Sequence, residues 1–197
     1  DSFWKQSIIL PTAFILASES EIRKRILFDA GFKFDTHKPL VDEDKLKSQY
    51  RSLAPIDLSV MLAKEKALSV SKIFPDKYVI GGDQICLLGS EIFSKPLTAS
   101  KAIENLRKLS GREHFQISGL AIAINNKVVH EKHYKAILKM RDLSLEEIQE
   151  YVEKDDPLMS SGSYKYESLG KNLFEYIKGD PYVIQGLPLE AIKNFFK

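Results

Sequence analysis

The segment Tyr78–Pro96, YVIGGDQICLLGSEIFSKP, constrains the fold of this chain more than any other feature. An apolar run stops at two glycines and Asp83 follows at once, while a second apolar run and a turn at Gly89 lead to Lys95. Buried strands that end in Gly-Gly allow a tight backbone turn and bring a polar group to the edge of a sheet. The segment therefore predicts a strand pair that carries Asp83 and Lys95 to one pocket, although an acidic turn residue and a solvated lysine would leave the same pattern.

Strand-like and helix-like segments alternate before this pair and continue after it. A strand is expected over 13–17, a helix over 21–30 closed by Gly31, a strand over 32–35 and a helix over 55–73. After the pair come a helix from Ser100 to Ser110 and two strands around Asn125-Asn126, a strong hairpin signal. A capping box at Ser144 opens a further helix. Strands near 172–177 and 182–184 and a helix from Pro188 close the chain, so the order predicts a mixed-sheet α/β protein.

Composition narrows the classes of function. The 197 residues carry 29 basic and 27 acidic side chains, a net charge of +2 with no basic block, which argues against broad nucleic-acid or membrane-surface binding. No apolar run reaches about 18 residues, so no membrane span is expected. The one cysteine, Cys86, cannot form an internal disulfide and reads as a buried small hydrophobe, which favours a cytoplasmic location. Residues 1–12 are expected to form an N-terminal extension rather than a signal peptide, ahead of a single domain over 13–197.

The turn LASESEIRKR places small polar residues between the first strand and the first helix. Backbone N–H groups at a helix N-terminus make such a turn, which includes Ser18, a candidate anion site. Arg23 falls in the first helical turn, where its charge opposes the helix dipole. Either Glu21 or a bound phosphate could offset that charge, and the residues alone leave both open.

Two further segments supply charged candidates. Glu43 lies in what is expected to be a polar, acidic loop, which is usually only solvated. Lys66 lies on the helix expected over 55–73, one turn from Leu62, where its side chain can point toward the sheet. Together with the residues above, the chain offers the carboxylates Glu43 and Asp83 and the cations Arg23, Lys66 and Lys95.

These residue types suit one chemistry. Carboxylates bind hard, hydrated cations such as Mg²⁺ or Mn²⁺, and the basic side chains suit phosphates, so metal-assisted hydrolysis of a phosphoanhydride is indicated. No GxxxxGK[ST] motif is present, so a P-loop is excluded. His130 and His133 lack nearby cysteines, and their spacing on a strand sends the rings to opposite faces, which disfavours a metal site. Glu167, in GSYKYE, is either an ordinary loop residue or an acceptor for a base edge.

From about residue 13 to the C-terminus, eight ordered segments resemble the Maf family, the septum-formation-inhibitor-like nucleoside triphosphate pyrophosphatases. The segments are LASESEIRKRIL, VDE, AKEKA, VIGGDQ, SKPLT, LRKLSGREH, GSYKYE and QGLPL. The resemblance implies an elongated central sheet flanked by helices, similar to inosine-triphosphate pyrophosphatases, and a possible homodimer. It also implies cleavage of a nucleoside triphosphate to a monophosphate and pyrophosphate with a divalent metal.

The same resemblance implies roles for individual residues. Asp83 matches the presumed general base and, with Glu43, a metal ligand; the residues that match phosphate-binding positions are Ser18, Arg23, Lys66 and Lys95. Gln84 and Glu167 match base-selecting positions and resemble the 7-methyl-GTP branch, because the dTTP/UTP branch tends to have Thr after the Asp and Gln where Glu167 stands. A glutamate also fits chemically, since a carboxylate can accept two hydrogen bonds from a guanine edge. Ile22 departs from that branch, which has Trp there, and Ile cannot stack on a cationic methylated base.

Three classes of function remain. A metal-dependent pyrophosphatase is expected from the intact acids and lysines. A nucleotide-sensing regulator of septum formation or cell division, with incidental hydrolysis, is the alternative that the family name raises. A nucleic-acid-binding module is disfavoured by the near-neutral charge.

Overall fold

The computed structural model describes residues 14–197 and contains a seven-stranded mixed sheet flanked by helices. The sheet order is β2-β1-β3-β5-β6-β7, with β4 paired to β3. The strands are β1 Phe14–Leu16, β2 Phe34–Thr36, β3 Tyr78–Leu88, β4 Glu91–Phe93, β5 Glu113–Ile124, β6 Lys127–Met140 and β7 Phe174–Lys178. The helices are α1 Glu21–Asp29, α2 Glu43–Gln49, α3 Pro55–Ser71, α4 Ala99–Leu109, α5 Leu145–Asp155, α6 Pro181–Ile184 and α7 Leu189–Phe195. Two short 3-10 turns lie at Ser161–Ser163 and Leu169–Leu173.

The pairing confirms the predicted mixed α/β class. β1 runs parallel to both β2 and β3, whereas β3, β5, β6 and β7 pair antiparallel. The predicted hairpin is present, because Asn125 and Asn126 both adopt the left-handed conformation that a tight β5–β6 turn needs. Ser144 caps the predicted helix, since its hydroxyl accepts a hydrogen bond from the Glu147 N–H. The Glu147 carboxylate faces Arg141 at 3.6 Å and not the Ser144 N–H, so only half of the predicted capping box is present.

Helices cover both faces of the sheet. On one face α3 packs Ala63, Ala67 and Val70 against the strands. On the other face α1 and α7 cover one end of the sheet, while α4 and α5 cover the other end. Cys86 lies fully buried in the core under α4 and α5, as predicted, and burial raises the pKa of its thiol.

The prediction that the β3 strand ends at Gly81-Gly82 is wrong. β3 continues through both glycines to Leu88, so Asp83 stands in the middle of a strand, opposite Gly119 of β5. The glycines do not make a turn here. Glycine is compatible with extended backbone, and the missing side chain of Gly81 leaves room for helix α3.

Two other local predictions are corrected. Glu43 lies in the first turn of α2 rather than in a loop, because Asp42 caps that helix by accepting a hydrogen bond from the Lys45 N–H. The segment 182–184 is part of a helix rather than a strand, since Asp180 caps it and Pro181 occupies its first turn.

The predicted extension over 1–12 lies outside the described residues, and the prediction of a single domain stays a prediction. Between Phe14 and Lys197, no helix combines the length and the apolar character that a bilayer crossing requires. The cytoplasmic location and the homodimer remain predictions as well.

Candidate active site

The site forms at a gap in the pairing of β3. On the edge that faces away from β5, β1 pairs with Tyr78–Ile80 and β4 pairs with Cys86–Leu88. Among the described strands none pairs with this edge between those two stretches, so a crevice opens beyond the carboxyl end of β1. Such a crevice is where open α/β sheets bind ligands. Ser18 follows β1, Asp83 stands in the unpaired stretch and Lys95 follows β4, which explains why residues so far apart in sequence meet here.

Lys66 lies between the two carboxylates of the site. Its Nζ is 2.7 Å from Oε1 of Glu43 and 3.2 Å from Oδ1 of Asp83. Lys66 and Asp83 are both buried, at 6% and 7% exposure, so their charges interact with little screening by water. The prediction that Lys66 points toward the sheet is confirmed.

Two glycines allow α3 to approach closely enough for this contact. A Cβ at Gly81 of β3 would collide with the backbone of Ala63 and Ala67, and one at Gly119 of β5 would collide with the backbone of Ser59. Side chains at either position would push α3 away from the sheet. The close approach lets Lys66, on the same helix, reach Asp83.

Glu43 enters the crevice from the N-terminus of α2. Partial burial alone would raise the pKa of its carboxyl, but the charge and hydrogen bond of Lys66, helped by Lys47 and Lys95, outweigh burial and hold that pKa below its ordinary value. Glu43 is therefore a carboxylate at neutral pH, available to a cation.

Arg23 turns from α1 back toward the crevice. Its Nε donates to the Gly186 carbonyl at 2.8 Å, and its Nη1 lies 3.5 Å from the Ser18 hydroxyl. Burial lowers the pKa of Arg23, while the charges of Asp83 and Glu43 act in the opposite direction. Glu21, which could have offset the Arg23 charge, instead pairs with Lys24 at 3.3 Å.

Lys95 is exposed but belongs to the same electrostatic neighbourhood. Desolvation by the surrounding protein lowers the pKa of its ammonium; Glu43 opposes that shift, and Arg23 and Lys66 add to it. Ser18 is buried and accepts a hydrogen bond from the Ser20 N–H at 3.1 Å, which fixes the turn after β1. The structure thus brings Ser18, Arg23, Glu43, Lys66, Asp83 and Lys95 to one crevice.

The three residues predicted to select the base are placed differently. Gln84 follows Asp83 on β3 and donates hydrogen bonds from Nε2 to the Gln116 side chain and to the Ile184 carbonyl. Ile22 is half-buried against the apolar cluster under α1 and α7. Glu167 is exposed in the turn after α5, and none of the hydrogen bonds or ion pairs among residues 14–197 joins it to Asp83 or Lys66.

The donor set fits a hard divalent cation. The two carboxylates already share one positive charge, that of Lys66, and carboxylate oxygens are what Mg²⁺ and Mn²⁺ prefer. In the described part of the chain no group of three or more His, Cys, Asp or Glu side chains is close enough to hold a metal. Mg²⁺ is usually bound by one or two protein carboxylates, with water and substrate phosphates as its other ligands. His130 and His133 belong to no such group.

The sequence does not predict one functional group of the site, the Gly186 carbonyl. The Gly186 carbonyl orients the Arg23 guanidinium, and Gly186 itself adopts a left-handed backbone with φ of 95°. The segment QGLPL contains this glycine, and a glycine followed closely by a proline indicates a tight turn. Nothing in the spacing ties that turn to Arg23, 163 residues earlier.

Residues 13–197 match the family model described as Maf-like protein. The chain is 38% identical over 180 residues to a Legionella pneumophila (strain Corby) protein named nucleoside triphosphate pyrophosphatase, covering 91% of this chain and 90% of that one. It is 37% identical over 185 residues to a protein of the same name from Rhodopseudomonas palustris (strain BisB18), covering 93% and 92%.

A solved structure of the Staphylococcus aureus Ham1 protein is a more distant likeness. It has a TM-score of 0.49 and 17% identity, and the match covers 94% of this chain and 100% of that one. This likeness is too weak to support an argument about function. The match of the family model and the identity to the curated relatives, both over nearly the whole chain, show that the chain belongs to the Maf-like protein family.

Proposed function

We propose that this chain is a nucleoside triphosphate pyrophosphatase that uses a divalent metal. The observation that carries the proposal is the cluster of Glu43, Lys66 and Asp83, flanked by Arg23 and Lys95 in one crevice. Two carboxylates for a cation and three basic groups for a triphosphate are the parts that phosphoanhydride hydrolysis needs. The names of the Legionella and Rhodopseudomonas relatives support the same activity.

Glu43 and Asp83 would hold Mg²⁺ or Mn²⁺. When bound, such a cation neutralises charge on the phosphate oxygens and lowers the pKa of coordinated water. Of the oxygens of these two carboxylates, Lys66 contacts only Oε1 of Glu43 and Oδ1 of Asp83, so the other oxygen of each carboxylate would hold the cation. The Lys66 ammonium, which α3 carries into the crevice, would bind a phosphate oxygen beside it.

The remaining groups bind the polyphosphate and direct water. Arg23 presents a guanidinium already oriented by the Gly186 carbonyl, and Lys95, which feels the charges of Arg23, Glu43 and Lys66, adds a further positive charge. The turn at Ser18 supplies backbone N–H donors at the N-terminus of α1. Asp83 accepts a proton from, or orients, the attacking water. Water adds across the α–β phosphoanhydride bond, and a monophosphate and pyrophosphate leave.

For the base we propose a guanine-type edge read by Glu167 and Gln84. The pKa of Glu167 is raised by partial desolvation, with Lys165 and Arg25 acting against that shift and Asp155 adding to it. A ligand that donates two hydrogen bonds to this carboxylate would favour its charged form. A 7-methylated guanine is a candidate substrate within this class, although Ile22 offers no aromatic ring for its positive charge.

The test is pyrophosphate release from a panel of nucleoside triphosphates, methylated and unmethylated, with Mg²⁺, Mn²⁺ or excess chelator. We expect release of monophosphate and pyrophosphate with either metal and loss of activity in chelator. Orthophosphate as the first product, or full activity in chelator, would contradict the proposal. A protein that binds nucleotides tightly but releases no pyrophosphate would fit the alternative of a nucleotide-sensing regulator.

A further inference from the structure

A buried chain of hydrogen bonds runs from the crevice into the core. Gln84 Nε2 donates to Gln116 Oε1 at 2.8 Å, and Gln116 Nε2 donates to the Tyr164 hydroxyl at 2.7 Å. The Tyr164 hydroxyl in turn lies 2.8 Å from His114 Nε2. His114 and Gln116 are fully buried, and Tyr164 is 3% exposed. Polar groups this deep are held in fixed orientations, because breaking any one bond leaves an unpaired group in the core.

These hydrogen bonds all point in one direction from donor to acceptor, and the Ile184 carbonyl fixes that direction. Gln84 also donates from Nε2 to that carbonyl, so a flipped amide would place two oxygens in contact. With Gln84 fixed, Gln116 must turn its oxygen toward Gln84 and its nitrogen toward Tyr164. Gln116 Nε2 also lies 3.5 Å from the Ser161 carbonyl, which agrees with this orientation.

At the far end His114 completes the order. The Tyr164 hydroxyl accepts from Gln116, so its own proton is left for His114 Nε2. A neutral imidazole whose Nε2 carries no proton can accept it, and burial keeps the ring neutral because it lowers the pKa of His114 to about 4. In this tautomer the proton is on Nδ1, which is buried and has no hydrogen-bond partner among the described residues.

At the crevice end of the series, the Gln84 amide oxygen is the atom without a partner in the described part of the chain. Both Gln84 amide protons are used inside the protein, whereas Gln84 Oε1 takes no hydrogen bond from the part of the chain that the structure describes. A Cβ added at Gly186 would lie 2.8 Å from this oxygen and 3.3 Å from Arg23 Nη2. The oxygen therefore lies on the side of Gly186 where the phosphate-binding guanidinium stands.

We propose that Gln116 and Tyr164 are positioning residues for base selection: together with the Ile184 carbonyl, they hold the Gln84 amide so that only its oxygen faces a bound nucleotide. The inference rests on the proposed function and deepens it. An oxygen that can only accept selects bases that present a ring N–H, as guanine, hypoxanthine and uracil do. In guanine this N–H would be shared between Gln84 Oε1 and the Glu167 carboxylate as a three-centre hydrogen bond. Adenine and cytosine present an unprotonated ring nitrogen at the same place, and it would meet the Gln84 oxygen as a second acceptor.

The experiment compares kcat/KM for GTP, ITP and UTP with that for ATP and CTP in the wild type, Gln116→Leu and Tyr164→Phe. We expect the wild type to favour the first group. Each variant should reduce that preference by about three- to tenfold, the size expected for one hydrogen bond, while kcat for the best substrate changes little. A purely structural role would lower all substrates together by reducing the folded fraction.

Asn105→Ala is the matched control. Asn105 is buried and donates to the Ser163 hydroxyl at 3.0 Å, so it anchors the same turn as Tyr164 without touching Gln84 or Gln116. It should lower the melting temperature without changing the base preference. An equal loss of preference in Asn105→Ala would show that the effect does not pass through the amide, and would overturn the inference.

A second readout does not depend on turnover. The side-chain amide protons of Gln84 should exchange slowly with solvent in the wild type and faster in Gln116→Leu and Tyr164→Phe, measured by NMR. The inference is overturned if the active wild type shows no preference between the two groups of bases. It is also overturned if both variants keep the wild-type preference. Either result leaves the pyrophosphatase proposal standing. Absence of pyrophosphate release from every triphosphate removes the proposed function, and this inference with it.

Discussion

Lys66 Nζ lies 3.2 Å from Oδ1 of Asp83, and both side chains are buried in the crevice beside the unpaired edge of β3. Because Lys66 also contacts Glu43 at 2.7 Å, one ammonium lies between two carboxylates and the three groups together keep a net negative charge. Of the oxygens of these carboxylates, Lys66 contacts only Oε1 of Glu43 and Oδ1 of Asp83, so the second oxygen of each would be the ligand for the proposed divalent cation. Lys66 and the cation would then lie side by side, where both can contact the phosphates of a nucleotide.

Asp83→Asn should reduce turnover by about 10²–10⁴-fold, the range for loss of a general base, and leave the fold intact. The isosteric amide keeps the packing, and Lys66 keeps its partner Glu43. Steady-state pyrophosphate release and thermal unfolding measure the two effects. Asp76→Asn, an exposed carboxylate in the turn before β3, is the control and should behave like the wild type. A fall in stability that accounts for the lost activity would indicate a structural role for Asp83.

Arg23→Lys should lower kcat/KM by about ten- to hundredfold, because a lysine keeps the charge but loses the planar fork that binds both the Gly186 carbonyl and a phosphate. The effect should be on KM more than on kcat if Arg23 mainly binds the triphosphate. Arg25→Lys, at an exposed position of the same helix, is the matched variant and should change little. Equal kinetics for the two variants would argue against a phosphate-binding role for Arg23.

Much of this site could be predicted from residue types and order. The strand before Ser18, the helix that carries Lys66 and the strand that carries Asp83 all follow from apolar periodicity, and the structure brings their polar residues together. The class of fold followed from the same alternation. Residue types alone predict that the carboxylates and the basic side chains share one site, because few kinds of reaction use that combination of groups.

What the sequence could not supply were relationships across the sheet. Gly81 was interpreted as a turn glycine, although its role is to admit the backbone of α3, and only the packed structure shows that. The sequence predicts a loop at Glu43 because the helix it begins is only seven residues long and five of those residues are charged or amide-bearing. The bond between Arg23 and the Gly186 carbonyl joins elements at opposite ends of the chain, and no local pattern encodes it.

His114 predicts a dependence of stability on pH. Its pKa falls from an ordinary 6.5 to about 4 in the folded protein, because burial disfavours the imidazolium. As the pH decreases below 6.5, the unfolded chain takes up a proton that the folded protein does not, so stability falls until about pH 4 and then levels. This one group accounts for a loss of about 3 kcal/mol at most.

The measurement is the free energy of unfolding of the wild type and His114→Gln at several pH values between 7 and 4. Glutamine does not titrate and can still accept a hydrogen bond from Tyr164, so the variant should lose less stability over this range. His133→Gln, an exposed histidine on β6, should follow the wild type. Parallel curves for the wild type and His114→Gln would mean that His114 titrates normally in the folded state.

Glu167→Gln should weaken GTP-like substrates relative to pyrimidine triphosphates by about tenfold, because a carboxylate that accepts two hydrogen bonds becomes an amide that accepts at one end only. Glu167 is exposed, so the substitution should leave the melting temperature unchanged. The ratio of kcat/KM for GTP to that for UTP is the measurement. Equal ratios before and after the change would leave Glu167 an ordinary residue of the turn after α5.

Ile22→Trp tests the second half of the same pocket. Ile22 is half-buried against the cluster under α1 and α7, so an indole there would have to extend toward solvent, where it offers a face to a cationic base. We expect the ratio of kcat/KM for 7-methyl-GTP to that for GTP to rise by about two- to fivefold, the size of an exposed cation–π contact. Ile22→Leu, which changes shape but adds no ring, should leave the ratio as it is. A rise in both variants would point to the volume of the side chain rather than to stacking, and no rise in either would place the methylated base elsewhere.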